Sequence, residues 1–593
     1  MTIGASTSME GKRSYCALPA QKRISLCGVR GRGYDLPPTR DARAQAQTGK
    51  RRVMAEEAAA VTRRRFLTLC VVLCALPGAV EVRARQRETR RPGRLVHRVD
   101  SNFVSVTIDA SLAEDESFVR VLSSPKVRSL AKALAPAFVR FGGTRQDFME
   151  FQPQAGGPGA LPSSGQGGSG GRGSQPPLLT GRWEEQLMAG WREQQRRLAR
   201  EDAGGRNRRV KFTESTLDEL HAFANASGLD LVFGLNALLR TADNSWNASN
   251  ARALLGYCEE RRYRVSWELG NEPNSFEKKA GLRVSGEQLG RDFTRLREMM
   301  SESPWHRRAR LYGPDVGQPK GRTPDLLDGF LRSGADAIDA CTWHHYYVNG
   351  RDASLDDFLD PRVLDSLALK TKRVTEEVKR VSPGKPVWLG ETSSAYGGGA
   401  AGLSDTFAAG FMWLDKLGVA AKGGVSVVMR QVLVGSGAYH LLDERLDPLP
   451  DFWLTLIHKR VVGRGVLSAS AFSARTRSGR VRLYLHCAAA PRYRRGAVTL
   501  VAINLDERPA DVGVPRRLAS GDVDAFVLRS DRRGRAGLLS RRVTLNGVVV
   551  EMSGSTLPQL VGRRTPASGG LALPAYSLGF FVFTDARRRA CAE

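Results

Sequence analysis

The chain has 593 residues, 41% hydrophobic and 25% charged, which is the composition of a globular protein long enough for more than one domain. Its formal net charge of +29 is far from ordinary and implies polyanionic partners: nucleic acid, an anionic membrane or a sulfated polysaccharide. Zinc-finger spacing, a basic-zipper pattern and an RNA-binding signature are all absent, so no nucleic-acid partner is expected.

Near the start, Arg63-Arg64-Arg65 precedes the apolar run FLTLCVVLCALP, 66–77, with small residues including Ala79 after it. A basic segment, a short apolar core and a cleavage zone make residues 54–82 a signal-peptide region. A buried core helix is the other reading of the run. It is too short for a typical transmembrane helix, so no integral membrane span is expected. The run begins far from Met1. Met54 is therefore an alternative start, and residues 1–53 are read as a non-native extension. Secretion permits disulfides and glycans. Of the eight cysteines, Cys16, Cys27, Cys70 and Cys74 lie before or inside the signal region. Cys487 and Cys591 share the C-terminal region and form the best pair, leaving Cys258 and Cys341 open. With no CxxC motif, a structural zinc site is not expected. Asn225-Ala226-Ser227 and Asn247-Ala248-Ser249 are glycosylation sequons.

From about 103 to 460, eight short apolar segments alternate with helical stretches. They are 103–109, 138–143, 229–235, 264–270, 309–313, 339–345, 386–391 and 425–430. The pattern predicts an α/β fold, a (β/α)8 TIM barrel whose active site lies at the C-terminal strand ends. An open doubly wound sheet is the alternative, but no Gly-rich phosphate fingerprint follows the first strand. From 461 to 593 strands follow one another without helices, as at 480–487, 497–505, 543–552 and 576–583, which predicts a C-terminal β-sandwich domain. The barrel is interrupted at 151–205. Residues 155–177 are Gly/Ser/Pro-rich and cannot bury a core. In 182–201, Trp183, Leu187, Trp191 and Leu198 recur at helical spacing. Its two tryptophans need an apolar surface, and Tyr346 and Tyr439 of the barrel mouth are the expected one.

Glu272 follows the fourth strand in WELGNEPNSF, 267–276, and Glu391 ends the seventh. A closed barrel brings both to one mouth. Two carboxylates there suit retaining glycoside hydrolysis: one protonates the leaving oxygen and the other attacks the anomeric carbon. Ionised Glu391 nearby is expected to raise the pKa of Glu272. Asp109, Thr144, His344, Tyr346 and Gln431 collect at other strand ends. His344 and His345 point to opposite faces of their strand, so they do not share a metal. Neither metal nor cofactor is expected.

The strings GLNALLRTAD (234–243), SWELGNEPNSF (266–276), LYGPDVGQP (311–319), TWHHYYVNGR (342–351), WLGETSSAYGGGA (388–400) and LSDTFAAGFMWLDKLG (403–418) resemble the vertebrate heparanases. These are endo-β-glucuronidases acting on heparan sulfate. The resemblance runs from about 101 to the C-terminus, apart from the insert. It implies a barrel over 102–150 and 206–460, and a sandwich over 461–593 completed by a segment at 83–101. It also implies an excisable linker at 151–205, whose removal by an activating protease leaves a heterodimer of the protein's own small and large chains. Carried over by position, Glu272 is the acid/base and Glu391 the nucleophile. Asp109, Thr144, Asn271, Gln318, Tyr346, Gly397, Gly398, Gln431, Gly437 and Tyr439 bind substrate, and His344, read from its place at a strand end, is expected to join them. Arg206, Arg208, Arg209, Lys278, Lys279, Lys320, Arg322 and Arg351 bind heparin. Partners implied are heparan sulfate and heparin proteoglycans, in the secretory pathway, the lysosome or endosome, and the extracellular matrix or cell surface.

Three features depart from the family. Ala226 stands where it has a cysteine bonded to the linker, which itself carries no cysteine; the linker is Gly-rich, unlike the family's; and Ala203 replaces the aromatic residue near its cleavage site. Two rival readings stay open: a catalytically inactive heparan-sulfate-binding relative, and an exo-β-glucuronidase.

Overall fold

The computed structural model describes residues 94–153, 182–203, 207–321, 323–435, 437–475 and 479–592. The signal-peptide region, the proposed extension, the Gly-rich part of the insert, Arg206, Arg322, the side chain of Leu198 and the first four cysteines lie outside them.

Eight parallel strands close into a barrel: Val104–Asp109, Ala137–Gly142, Leu229–Leu235, Ser266–Leu269, Leu311–Val316, Ala340–His345, Val387–Thr392 and Val425–Arg430. Each pairs with its neighbours in chain order, and the eighth pairs with the first through Val428 and Val104. Helices between them cover the outside, which is why strands such as LYGPDV and VWLGET are buried on both faces. The helix Gly286–Glu302 shows the cause locally: Leu289, Phe293, Leu296 and Met300 recur at helical spacing and are buried, and Ser285 caps it by accepting from the Gln288 N–H.

The C-terminal domain is a nine-stranded sheet facing a three-stranded one. Leu95–Arg98, before the barrel, joins the large sheet by pairing antiparallel with Val462–Leu467. Leu500, Val512, Leu573 and Phe581 fill the space between the sheets. The other face of the large sheet, with Val501, Phe580 and Val582, packs against the barrel's core. The helix Ala409–Lys422 lies at that junction and is buried almost all round. Gly418 is required there, since a Cβ would sit 2.3 Å from the ring of Tyr484. Asp415 on this helix accepts hydrogen bonds from Arg482 and Tyr484 of the sandwich.

Cys487 and Cys591 are disulfide-bonded, with Cα atoms 5.3 Å apart. Cys258 and Cys341 are free and buried, and burial pushes both thiols up to about 12. Asn225 and Asn247 are exposed. Among the described residues, no helix is long and apolar enough to cross a membrane.

The insert's helix runs from Arg182 to Ala203. Its tryptophans do not sit on Tyr346 and Tyr439. Trp191 is buried on Phe118, with ring centroids 6.5 Å apart, and Trp183 is half-buried. Gly435 makes room for Trp191, since a Cβ there would lie 2.1 Å from the indole. A hydrophobic side wall of the barrel mouth, not the cleft floor, thus supplies the apolar surface.

Candidate active site

The turn after the fourth strand is tightly specified. Gly270 has φ +80°, and a Cβ on it would lie 2.8 Å from that of Ala237. Asn271 donates its N–H to Asp147 Oδ2 at 2.8 Å. Glu272 takes a left-handed conformation, φ 51° and ψ 63°, held by donation of its N–H to Asp315 O at 3.0 Å. Pro273 then starts a short 3-10 turn. A non-glycine residue held with positive φ stores local strain, and such strain concentrates at functional sites.

Glu391 enters from the end of the seventh strand. Arg140 Nη1 donates to its Oε2 at 2.9 Å, and the Tyr346 hydroxyl donates to its Oε1 at 2.7 Å. An oxygen of Glu391 and one of Glu272 lie within 4.8 Å of each other. Around them is a cleft of about 330 Å³. Asp109, Thr144, Asn271, Tyr346 and Arg351 line it, as do Gly397, Gly398, Gln431, Gly437 and Tyr439. The Tyr346 and Tyr439 rings stack with centroids 6.2 Å apart. Asp109 accepts from Ser111 N at 2.9 Å and from Gln431 Nε2 at 2.9 Å, and burial raises its pKa.

Other expected residues stand elsewhere. His344 is buried behind Glu272: its Nδ1 is 3.4 Å from Glu272 Oε1 and its Nε2 3.1 Å from Asp315 Oδ1. His345 faces the other way, with Nδ1 3.1 Å from Lys416 Nζ. Gln318 is not on the cleft wall; its Oε1 accepts from Lys370 Nζ at 2.7 Å. Lys279 turns inward, 3.7 Å from Glu272 Oε2, while Lys278 and Lys320 are exposed. Arg208 pairs with Glu114, and Arg209 with Glu150 at 3.0 Å. These arginines therefore meet acids of the protein itself.

The charge balance corrects one expectation. Burial raises the pKa of Glu272, but the His344 hydrogen bond and the charges of Lys279 and His344 outweigh it and hold the carboxyl down at about 2. His344 shows the reverse. Burial lowers its pKa, yet Glu391, Asp315 and Glu272 raise it to about 9. With Glu272 held low and His344 raised, the proton of this pair resides on His344.

Behind and beside the cleft stand residues that sequence reasoning missed. Arg140 is fully buried and joins Glu268, Glu391 and Asn271. An arginine inside the apolar strand FVRFGG was the available signal. Asp147 anchors both Ala237 N and Asn271 N, and burial lifts it to about 7. Gln195, from the insert's helix, lines the cleft and donates to Ser111 Oγ at 3.1 Å.

Residues 208–418 match the family model described as "Glycosyl hydrolase family 79, N-terminal domain". The chain is 47% identical to Heparanase of Gallus gallus, over 88% of this chain and 99% of that protein. It is 47% identical to Heparanase of Mus musculus, over 85% and 93%. It is 36% identical to Inactive heparanase-2 of Homo sapiens, over 84% and 88%. Among solved structures, a 4-O-α-L-rhamnosyl-β-D-glucuronidase from Fusarium oxysporum 12S shares the fold. Its TM-score is 0.53 at 16% identity, covering 83% of this chain and 98% of that one.

Proposed function

The chain belongs to the heparanase family of glycoside hydrolases, and from that premise we propose that it cleaves internal glucuronide linkages of heparan sulfate with retention of configuration. The observation that carries this reading is the approach of Glu272 and Glu391 to within 4.8 Å. Retaining glycosidases hold their acids about 5–5.5 Å apart, whereas inverting ones leave about 6.5–9.5 Å for a water.

In the first step Glu391 attacks the anomeric carbon and Glu272 protonates the departing oxygen, leaving a glycosyl ester on Glu391. In the second, Glu272 takes a proton from water, and that water's oxygen displaces Glu391. Arg140 and Tyr346 orient the nucleophile. The proton for the first step comes from His344 Nδ1, 3.4 Å from Glu272. Substrate displaces water from the cleft. Moving the proton from imidazolium to carboxylate then turns two buried charges into two neutral groups, which a dry site favours. Asn271 bonds the sugar's 2-hydroxyl, and Gly397, Gly398 and Gly437 let the backbone approach the sugar.

The protein is made as a latent precursor. The insert's helix narrows the cleft at Gln195 until a protease removes the linker, leaving two associated chains. The signal-peptide region directs it into the secretory pathway, to lysosome or endosome, and to the extracellular matrix or cell surface. Glu391→Gln tests the chemistry: turnover is expected to vanish while heparin binding persists. Near-normal turnover in that folded variant would remove Glu391 from its role. Binding without turnover in the processed wild type would leave a binding protein only.

A further inference from the structure

The sandwich domain, 461–593, contains 22 arginines, no lysine, and nine Asp or Glu residues. Several of these arginines line one cavity of about 480 Å³, which lies apart from the catalytic cleft. Arg508, Arg529, Arg532 and Arg535 line it together with Tyr576, and Glu507 is the one acid among its lining residues. The side chains of Arg508, Arg529 and Arg532 are exposed, and among the described residues no ion pair or hydrogen bond engages their guanidinium groups. Arg535 does have a partner: its Nη2 donates to Asp356 Oδ1 at 2.5 Å.

That contact places the cavity. Asp356 lies in the short helix Leu355–Leu359, which follows the loop carrying Arg351, a residue of the catalytic cleft. A second tie runs from the next cleft loop. Beyond Gly397 and Gly398, Phe407 N donates to Ser540 O at 2.8 Å and Ala408 N to Leu538 O at 2.9 Å. Leu538 is itself part of the cavity wall. The cavity is therefore fastened to the segments that follow the two cleft loops, beyond the C-terminal ends of the sixth and seventh barrel strands.

We propose that this cavity is a second, non-catalytic site for a sulfated polysaccharide, gripping sulfates on the same chain whose uronic acid occupies the cleft. Guanidinium forks match sulfate geometry and bind it in a bidentate manner, and weak hydration makes arginine cheaper to desolvate than lysine. An extended polyanion leaving the cleft past Arg351 runs toward the helix whose Asp356 holds Arg535. A chain held at two points gains effective concentration at the cleft, so the site favours long substrates over short ones. This inference rests on the proposed heparan-sulfate activity.

The test uses the processed protein with Arg508→Ala, Arg529→Ala and Arg532→Ala combined. With exposed charge contacts of ordinary strength, KM for full-length heparan sulfate is expected to rise about tenfold. The kcat, and all constants for a short heparan oligosaccharide that fills only the cleft, stay as in the wild type. Unchanged KM for the long chain in the folded triple variant would overturn the proposal. Hydrogen exchange on Glu391→Gln protein separates the two readings. Protection of 529–538 by heparin, lost in the triple variant, supports the second site even if no substrate is cleaved. Equal or better protection by single-stranded DNA of matched charge, or none by heparin, would refute it.

Discussion

Removing the guanidinium of Arg140 would leave Glu268 and Glu391 facing each other in a dry barrel centre. Arg140 Nε donates to Glu268 Oε2 at 2.6 Å, and both side chains are fully buried. Arg140→Met should therefore destabilise the protein by about 3–5 kcal/mol in urea unfolding, because unpaired buried charges are costly. Arg252→Met, which breaks a pair exposed on both sides, should cost less than about 1 kcal/mol. Equal effects would refute the view that Arg140 holds the site together. Asp147 supplies the pH prediction. Its folded pKa of about 7 lies above the ordinary aspartate value of 3.8. The folded state thus binds this proton more tightly, so its contribution to stability is present in acid and is lost as pH rises through about 7. Compared with Asp147→Asn, the wild type should lose on the order of 3 kcal/mol between pH 4 and 8. Its kcat/KM should also fall above pH 7, as a new negative charge appears beside Asn271. A parallel pH dependence in both proteins would exclude Asp147. Glu272 and Glu391 were legible because strand ends can be counted. Arg140 was not, because periodicity cannot say whether a charge in an apolar strand points into the barrel's centre.

Among the elements, the strand Asp522–Ser530 escaped sequence reading because its aspartates disfavour a strand and its alternation is irregular. It forms because Ser577–Phe583 flanks it on one side while Val543–Leu545 and Arg563–Pro566 pair along the other. The sandwich's closing disulfide spans a sequence separation of 104 residues. Cross-linking a loop of that length stabilises by about 4.7 kcal/mol in the chain-entropy view, and measured losses on removal are typically about 2–5. Cys591→Ser should lower stability by that order in thermal unfolding under oxidising conditions, and an unchanged transition would show the bridge to be dispensable. The insert's helix makes a third case. Replacing 151–205 with a short Gly/Ser bridge should give activity without any protease. Activity equal to that of the uncleaved chain would sink the masking role. The helix was legible from its apolar spacing. Its docking surface was not, since sequence does not reveal that Gly435 leaves a slot for Trp191.

For the whole molecule, the barrel and sandwich were legible because helical and strand periods switch at about residue 461. The packing of sheet on barrel was not, because it depends on close approaches, such as those at Gly410 and Gly418, that periodicity does not reveal. The charge of +29 gives a global prediction: heparan sulfate affinity should fall steeply between low and high salt. Salt-independent affinity would move the binding surface away from the basic residues. The central claim is internal cleavage by paired acids, and sizing the products of long heparan sulfate after incubation with the processed protein tests it most directly. Rapid shortening of the whole chain population into fragments with new reducing-end glucuronate is expected, with no shortening by Glu391→Gln. Free glucuronate released from otherwise full-length chains, or chains left intact by the wild type, would contradict it.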